Sequence, residues 1–190
     1  KNITYPTDSK LYCRGIQILA NMAKNSNIEL RQSYTFLSKK TLRKAAQYAH
    51  ARQMKRAIKQ RNKLKTYLGR IKRDIERKIL NNEPLKKIFN PKLEIIGKLL
   101  IQEKNSKNKI YSIHEPNVEC ISKGKAHKKY EFGCKASIVL THKEGFILSS
   151  EALHGNPYDG HTLETVLKNA EELSNKPIEK VFVDKGYRGH

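Results

Sequence analysis

Val181-Phe182-Val183-Asp184-Lys185-Gly186 sets a carboxylate at the end of an apolar triplet and just ahead of a glycine. Open α/β sheets present a catalytic acid in this way, from the end of a strand buried on both faces. The plainer alternative is an aspartate that bonds to its own turn. One carboxylate does not hold two divalent ions. Two-metal phosphoryl transfer needs acids converging from several elements, so that the ions clamp the attacking and leaving oxygens of a phosphodiester. Glu131, Glu151 and Asp159 are the candidates within the chain to join Asp184, none of them compelling, and Asp159 reads better as a loop or helix-cap residue.

The elements that would position Asp184 come in two chemically different parts. The chain of 190 residues carries a formal charge of +21. Residues 129–190 hold eight Lys/Arg against nine Asp/Glu, so the positive excess lies entirely in residues 1–128. A strongly cationic arm joined to a nearly neutral module points to a polyanion, and nucleic acid is the natural one. Cys13, Cys120 and Cys134 are far apart and form no CxxC, which argues against a disulfide framework or a zinc knuckle. No apolar run reaches membrane-spanning length, so no membrane association is expected. The opening Lys1 and the stop directly after a turn signal give the look of an internal fragment.

Residues 1–7 read as extended around Pro6, and Asp8 as the cap of a helix over 9–25. From Ser38, also a cap residue, to Leu80 the apolar residues keep a helical period, as one helix or two, with 16 Lys/Arg and two acids among them. A one-signed run of that length repels itself unless phosphates screen it, so Lys55, Arg56 and Lys63 are candidate DNA contacts. Asn81–Pro84 ends the helix. Residues 84–102 are expected as shorter helical pieces interrupted at Asn90-Pro91, followed by a polar linker to Lys109.

From Lys109 the pattern turns to β. Ile110–Ile113 predicts a short strand, and Ser122–Lys129 a basic glycine loop that lacks P-loop spacing but offers Lys123 and Lys125 to a phosphate backbone. Tyr130–Thr141 and Phe146–Leu153 predict a hairpin joined through His142–Gly145. A helix capped by Asp159 or Thr162 and the Val181 strand follow, giving the order β-β-α-β, with the last strand able to lie parallel to an earlier one.

Three blocks carry a family resemblance: Tyr130-Glu131-Phe132-Gly133 with Lys135; Gly155-Asn156-Pro157-Tyr158-Asp159-Gly160-His161-Thr162-Leu163; and Val183-Asp184-Lys185-Gly186-Tyr187-Arg188-Gly189-His190. Together they resemble bacterial insertion-sequence transposases of the DDE type, in the IS-four/IS-five group, and Ile3–Asp8 followed by basic helices extends the likeness to the start of the chain. The resemblance implies an α/β fold: a partial RNase H-like catalytic core with a long basic α-helical insertion. Residues 1–8 would end the region of the first core strand, 9–108 would be the DNA-binding insertion, and 109–190 the partial core. Asp184 would be the second acid of the triad and a metal ligand. The first acid would lie upstream of Lys1 and the third, a glutamate, beyond His190. Two Mg²⁺ or Mn²⁺ ions would serve the whole enzyme, which hydrolyses and joins phosphodiesters at the element's ends. Lys185, Tyr187 and Arg188 would hold DNA phosphates, a homodimer would handle paired ends, and the protein would work in the bacterial cytoplasm at the nucleoid. With one triad acid the chain alone is expected to be inactive. The competing expectations are a non-catalytic nucleic-acid-binding remnant held by its basic helices, and an RNase H-like nuclease acting on other substrates.

Overall fold

The computed structural model describes residues 5–103, 105–122, 127 and 129–187. The chain divides into two compact units, Lys1–Val118 and Glu119–His190.

The first unit is helical: α1 (Asp8–Asn25), α2 (Thr35–His50), α3 (Met54–Ile79) and α4 (Glu83–Ile101). α3 is central, packing against each of the other three. Its Leu64, Leu68, Ile71, Ile75 and Ile79 fall at helical spacing and are buried against Ile16 and Leu19 of α1 and Phe89, Ile96 and Leu99 of α4. Full burial stabilises each of these side chains by about 1.5–3 kcal/mol, so this stripe holds the unit together. Gly15 makes the α1–α3 crossing possible, since a Cβ there would lie 3.0 Å from Leu68 Cδ1.

Local chemistry moves several expected boundaries. Thr7, not Asp8, caps α1, accepting from the Lys10 N–H. Asp8 is the first helical residue, accepts from Gln102 Nε2 and lies 3.9 Å from an Arg61 guanidinium nitrogen. Ser38 is not a cap but a buried residue inside α2, its hydroxyl donating to the Thr35 carbonyl and accepting from Gln17 Nε2. The basic stretch is two helices, because the chain reverses at Arg52 (φ 56°), where the Gln53 N–H closes onto the Tyr48 carbonyl. α2 itself starts from Tyr34, whose φ of 53° is rare for a bulky residue and costs about 1–3 kcal/mol. α4 runs unbroken through Pro91, correcting the expected interruption. Pro91 sits on its exposed side, so the carbonyl left without a helical partner can meet water, while Phe89, Leu93, Ile96 and Leu99 keep the buried face continuous. Ile110–Ile113 is not a strand. Ile110 and Ile113 insert into the helical core instead, and Gln102 bonds both the N–H and the carbonyl of Ile110.

The second unit holds β1 (Glu119–Ser122), β2 (Tyr130–Gly133), β3 (Lys135–Leu140), β4 (Ile147–Leu153), α5 (Asp159–Ser174) and a 3-10 turn, Lys185–Tyr187. β1 pairs antiparallel with β2, with Glu119 opposite Gly133; β3 pairs antiparallel with β4, with Lys135 opposite Leu153 and a bulge between Val139 and Leu140. The single strand expected over Tyr130–Thr141 is therefore two strands in two sheets. Gly133, at φ 156°, takes a backbone angle that side-chain-bearing residues avoid, and the chain changes sheets there. α5 packs on β3 and β4 through Val166 and Ala170. The expected β-β-α-β order is not formed among the described residues: four strands precede α5, and Val181–Val183 runs without regular structure, Phe182 being 76% exposed. An apolar triplet becomes a strand only beside a ladder partner, and among the described residues β3 and β4 pair only with each other.

Candidate catalytic site at the Asp184 turn

Asp184 ends the irregular segment and is fixed by its own turn. Its Oδ1 accepts the Gly186 N–H at 2.7 Å, and its carbonyl accepts the Tyr187 N–H at 3.3 Å. This is the side-chain-closed turn that aspartate favours. Lys185 and Tyr187 follow it in the 3-10 turn.

The structure brings Asp159 to the same turn. A Cβ on Gly186 would lie 2.8 Å from Asp184 Oδ1 and 2.9 Å from Asp159 Oδ2, so both carboxylates rest against this one residue. Asp159 opens α5, where the helix dipole favours a negative charge. It does not cap the helix through its side chain; the residue before α5 is Tyr158, without a side-chain capping bond. Thr162 is likewise inside the first turn, its hydroxyl donating to the Asp159 carbonyl. Asp159 Oδ1 is instead paired with Lys135 Nζ at 2.6 Å, and Lys135 also donates to the Pro157 carbonyl at 2.6 Å. With side chains only 20% and 33% exposed, Lys135 and Asp159 tie the start of β3 to the start of α5.

The other candidate acids are used elsewhere. Glu151 accepts from Asn169 Nδ2. Glu131 is half-buried on β2, opposite Ile121 of β1. Glu119, not anticipated from sequence, joins His154 Nδ1 at 3.1 Å and takes the Gly155 N–H on both carboxylate oxygens at 3.0 Å. The Gly155 N–H, then His154, holds the Glu119 carboxyl below its ordinary range. This constellation fastens β1 to the loop after β4.

Two carboxylates and a lysine are what the turn offers. One oxygen of each carboxylate is already engaged, by the Gly186 N–H and by Lys135, and no group of three His, Cys, Asp or Glu suited to a metal occurs among the described residues. These residues do not fit a two-ion clamp by themselves. Next to the turn, Ile138, Leu140, Leu163, Val166, Phe182 and Tyr187 border a cavity of about 470 Å³.

Of the expected DNA contacts, Lys123, Lys125 and Arg188 lie outside the described residues. Lys55, Arg56 and Lys63 are exposed on α3. Arg56 donates to Gln53 Oε1 at 2.9 Å and lies 5.9 Å from the centre of the Tyr48 ring. Lys55 and Arg56 occupy the first turn of α3, which has no acid. Cations at a helix N-terminus are electrostatically unfavourable alone and favourable beside an anion.

Among the described residues no helix is long and apolar enough to cross a membrane. Residues 103–190 match the family described as Transposase DDE domain. An uncharacterised protein, ORF8 in the nfe locus of Rhizobium meliloti, is 55% identical over 53 residues, 28% of this chain and 26% of that protein. The chain thus spans about a quarter of the length of that curated relative. No solved structure matches. The family match takes in all four strands described, α5 and the Asp184 turn, so this region of the chain is similar to a transposase DDE domain.

Proposed function

We propose that this chain is the central part of an insertion-sequence transposase of the IS-four/IS-five group, cutting and joining DNA at the ends of its element. The observation that carries the proposal is the Asp184 turn inside the matched region, with Asp159 against the same glycine. In this reading Asp184 is the second acid of the triad and one ligand of the divalent ions, Mg²⁺ or Mn²⁺. The Gly186 N–H holds its carboxylate in one orientation, which is the preorganisation a metal ligand needs. Lys135 neutralises Asp159, so two acids can share one turn without the repulsion of two bare carboxylates.

The remaining triad acids belong to sequence outside residues 1–190, and the chain alone does not cleave DNA. The RNase H-like core is completed by the same missing segments, which offer Val181–Val183 a neighbouring strand. DNA is held by the basic helical unit, with Lys55, Arg56 and Lys63 among its contacts, and by Lys185 and Tyr187 beside the acid. A homodimer handles the two element ends in the bacterial cytoplasm.

The test is Asp184→Asn in the polypeptide that carries residues 1–190 with their flanking sequence. Loss of metal-dependent strand cleavage with retained DNA binding supports the proposal; cleavage at the parent rate refutes it. A second reading, a DNA-binding remnant without catalysis, rests on the basic helical unit alone, where Lys55, Arg56 and Lys63 stand exposed. It predicts salt-sensitive binding and no metal-dependent cleavage even with the flanks restored.

A further inference from the structure

On the helical unit, α3 presents Arg70, Arg73 and Arg77 at spacings of three and four, which puts them on one side of the helix. Arg31, from the connection between α1 and α2, joins them around a cavity of about 490 Å³ that is also lined by Tyr34 and Asp74. All four arginines are exposed and Asp74 is buried. Asp74 is already committed. Its Oδ2 accepts the Arg31 N–H at 3.0 Å and Lys78 Nζ at 3.3 Å, and its Oδ1 lies 3.4 Å from an Arg77 guanidinium nitrogen. Among the described residues no carboxylate pairs with the guanidinium of Arg31, Arg70 or Arg73.

The wall of the cavity is built, not incidental. Tyr34 is held at a positive φ, stacks on Tyr67 with ring centres 4.6 Å apart, and accepts a hydrogen bond from Arg70 Nη1 at 3.2 Å. That arrangement fixes Arg70 at the rim while the neighbouring guanidinium groups repel one another. An anion in the cavity would relieve the repulsion, and guanidinium forks match phosphate oxygens two at a time. From Arg70 to Arg77 the helix rises about 10 Å, and one DNA strand carries a phosphate about every 3.4 Å of axis. That reach suits a run of phosphates better than a single small anion.

We infer that this arginine cavity is a docking site for the sugar-phosphate backbone of DNA, separate from the Asp184 turn and from Lys55, Arg56 and Lys63. The inference rests on the reading of the chain as a protein that handles DNA, and it identifies where on the helical unit the backbone is gripped.

The probe is a fluorescently labelled duplex, its binding followed by anisotropy across a salt series. Arg31→Gln/Arg73→Gln leaves the Arg31 N–H bond to Asp74 and the Arg70–Tyr34 contact in place; Lys87→Gln/Lys98→Gln, on exposed positions of α4, removes the same charge away from the cavity. The expected result is an affinity loss of about tenfold or more for the arginine pair, with the slope of log affinity against log salt reduced by about 1.8, or about 0.9 for each lost phosphate contact. The lysine pair should change the slope by less than half as much, and thermal midpoints should be unaltered in both. Equal effects of the two pairs overturn the inference, since only general cationic attraction would remain. Inorganic phosphate, added at constant ionic strength, should not displace the duplex. Displacement that disappears in the arginine pair would make this a site for a free anion and overturn the backbone assignment. The two readings fail separately: a polypeptide that cleaves DNA while the arginine pair behaves like the lysine pair removes only the cavity, and one that never cleaves while the arginine pair loses binding removes only the transposase.

Discussion

Gly186→Ala tests the geometry at the acid turn. The backbone angle of Gly186 lies outside the left-handed region, so alanine fits the turn itself and the substitution acts through space alone. Its methyl would fall 2.8 Å from Asp184 Oδ1 and 2.9 Å from Asp159 Oδ2, closer than carbon and oxygen tolerate. Asp184 must swing off the Gly186 N–H or Asp159 must leave Lys135. Losing a hydrogen bond to a charged group costs about 1.5–3 kcal/mol when buried, and the exposure of Asp184 puts this one at the low end. Alanine returns about 0.4–1 kcal/mol by restricting the unfolded chain. The net expectation is a destabilisation of about 1 kcal/mol, a fall in melting temperature of about 5 °C for a unit this small. Faster amide exchange at residue 186 should accompany it. Because half the clash comes from Asp159, Asp159→Ala should soften the effect of Gly186→Ala in a double-mutant cycle. A Gly186→Ala protein that melts at or above the parent, with no coupling to Asp159, would show that the two carboxylates do not share this residue.

Phe89→Ala should destabilise the helical unit by about 3–5 kcal/mol in urea unfolding, since the ring is fully buried where α4 meets the core; a loss below 1 kcal/mol would contradict that packing. Gly15→Ala should lower stability by about 1–2 kcal/mol despite alanine's better helix propensity, because its methyl meets Leu68, and Leu68→Ala should abolish the penalty. Burial pushes the Asp74 carboxyl up, but the Arg31 N–H, Lys78 and Arg77 together bring it below its ordinary value of 3.8. A depressed folded value means that this contribution is complete above the unfolded carboxylate range and is lost as pH falls through the folded value. Acid unfolding of the parent below about pH 4 should therefore be steeper than that of Asp74→Asn, and equal acid profiles would contradict the assignment.

The sequence showed what periodicity can show. Leu64, Leu68, Ile71, Ile75 and Ile79 announce a buried helical face because each step of three or four returns to the same side, and the structure buries all five. The break at Arg52 left no such mark, since a non-glycine residue makes the reversal and the charge pattern runs straight through it. Ile110 and Ile113 have the branched side chains of a strand, but the helical core had room for them. Val181–Val183 has the composition of a central strand without, among the described residues, strands on either side to make it one. Strand propensity here reflects a place in a sheet, and the place depends on neighbours rather than on the triplet itself.

At the candidate site, Asp184 was visible as a carboxylate before a glycine, and the turn that fixes it is local. Asp159 stands 25 positions earlier in the chain, and only the packing of α5 sets it against Gly186. The Lys135–Asp159 pair had a faint sequence trace, since both residues sit in the blocks that carry the family resemblance, but their spacing gives no hint of contact. Glu119 and His154 had none, because β1 is four residues long and its partner strand follows the basic loop. The arginine cavity was hidden for the same reason: Arg31 and Asp74 are 43 residues apart and meet only once α3 lies along the α1–α2 connection.

The central claim is that Asp184 serves phosphodiester chemistry on DNA. Its most direct test compares the longer polypeptide proposed to carry residues 1–190 with its Asp184→Asn variant for Mg²⁺-dependent cleavage of element-end DNA. On the proposed role of Asp184 as a metal ligand, its loss would remove on the order of 4 kcal/mol of transition-state stabilisation, so the rate should fall by about 1,000-fold while duplex binding stays within about twofold. Cleavage by the variant at the parent rate would contradict the claim.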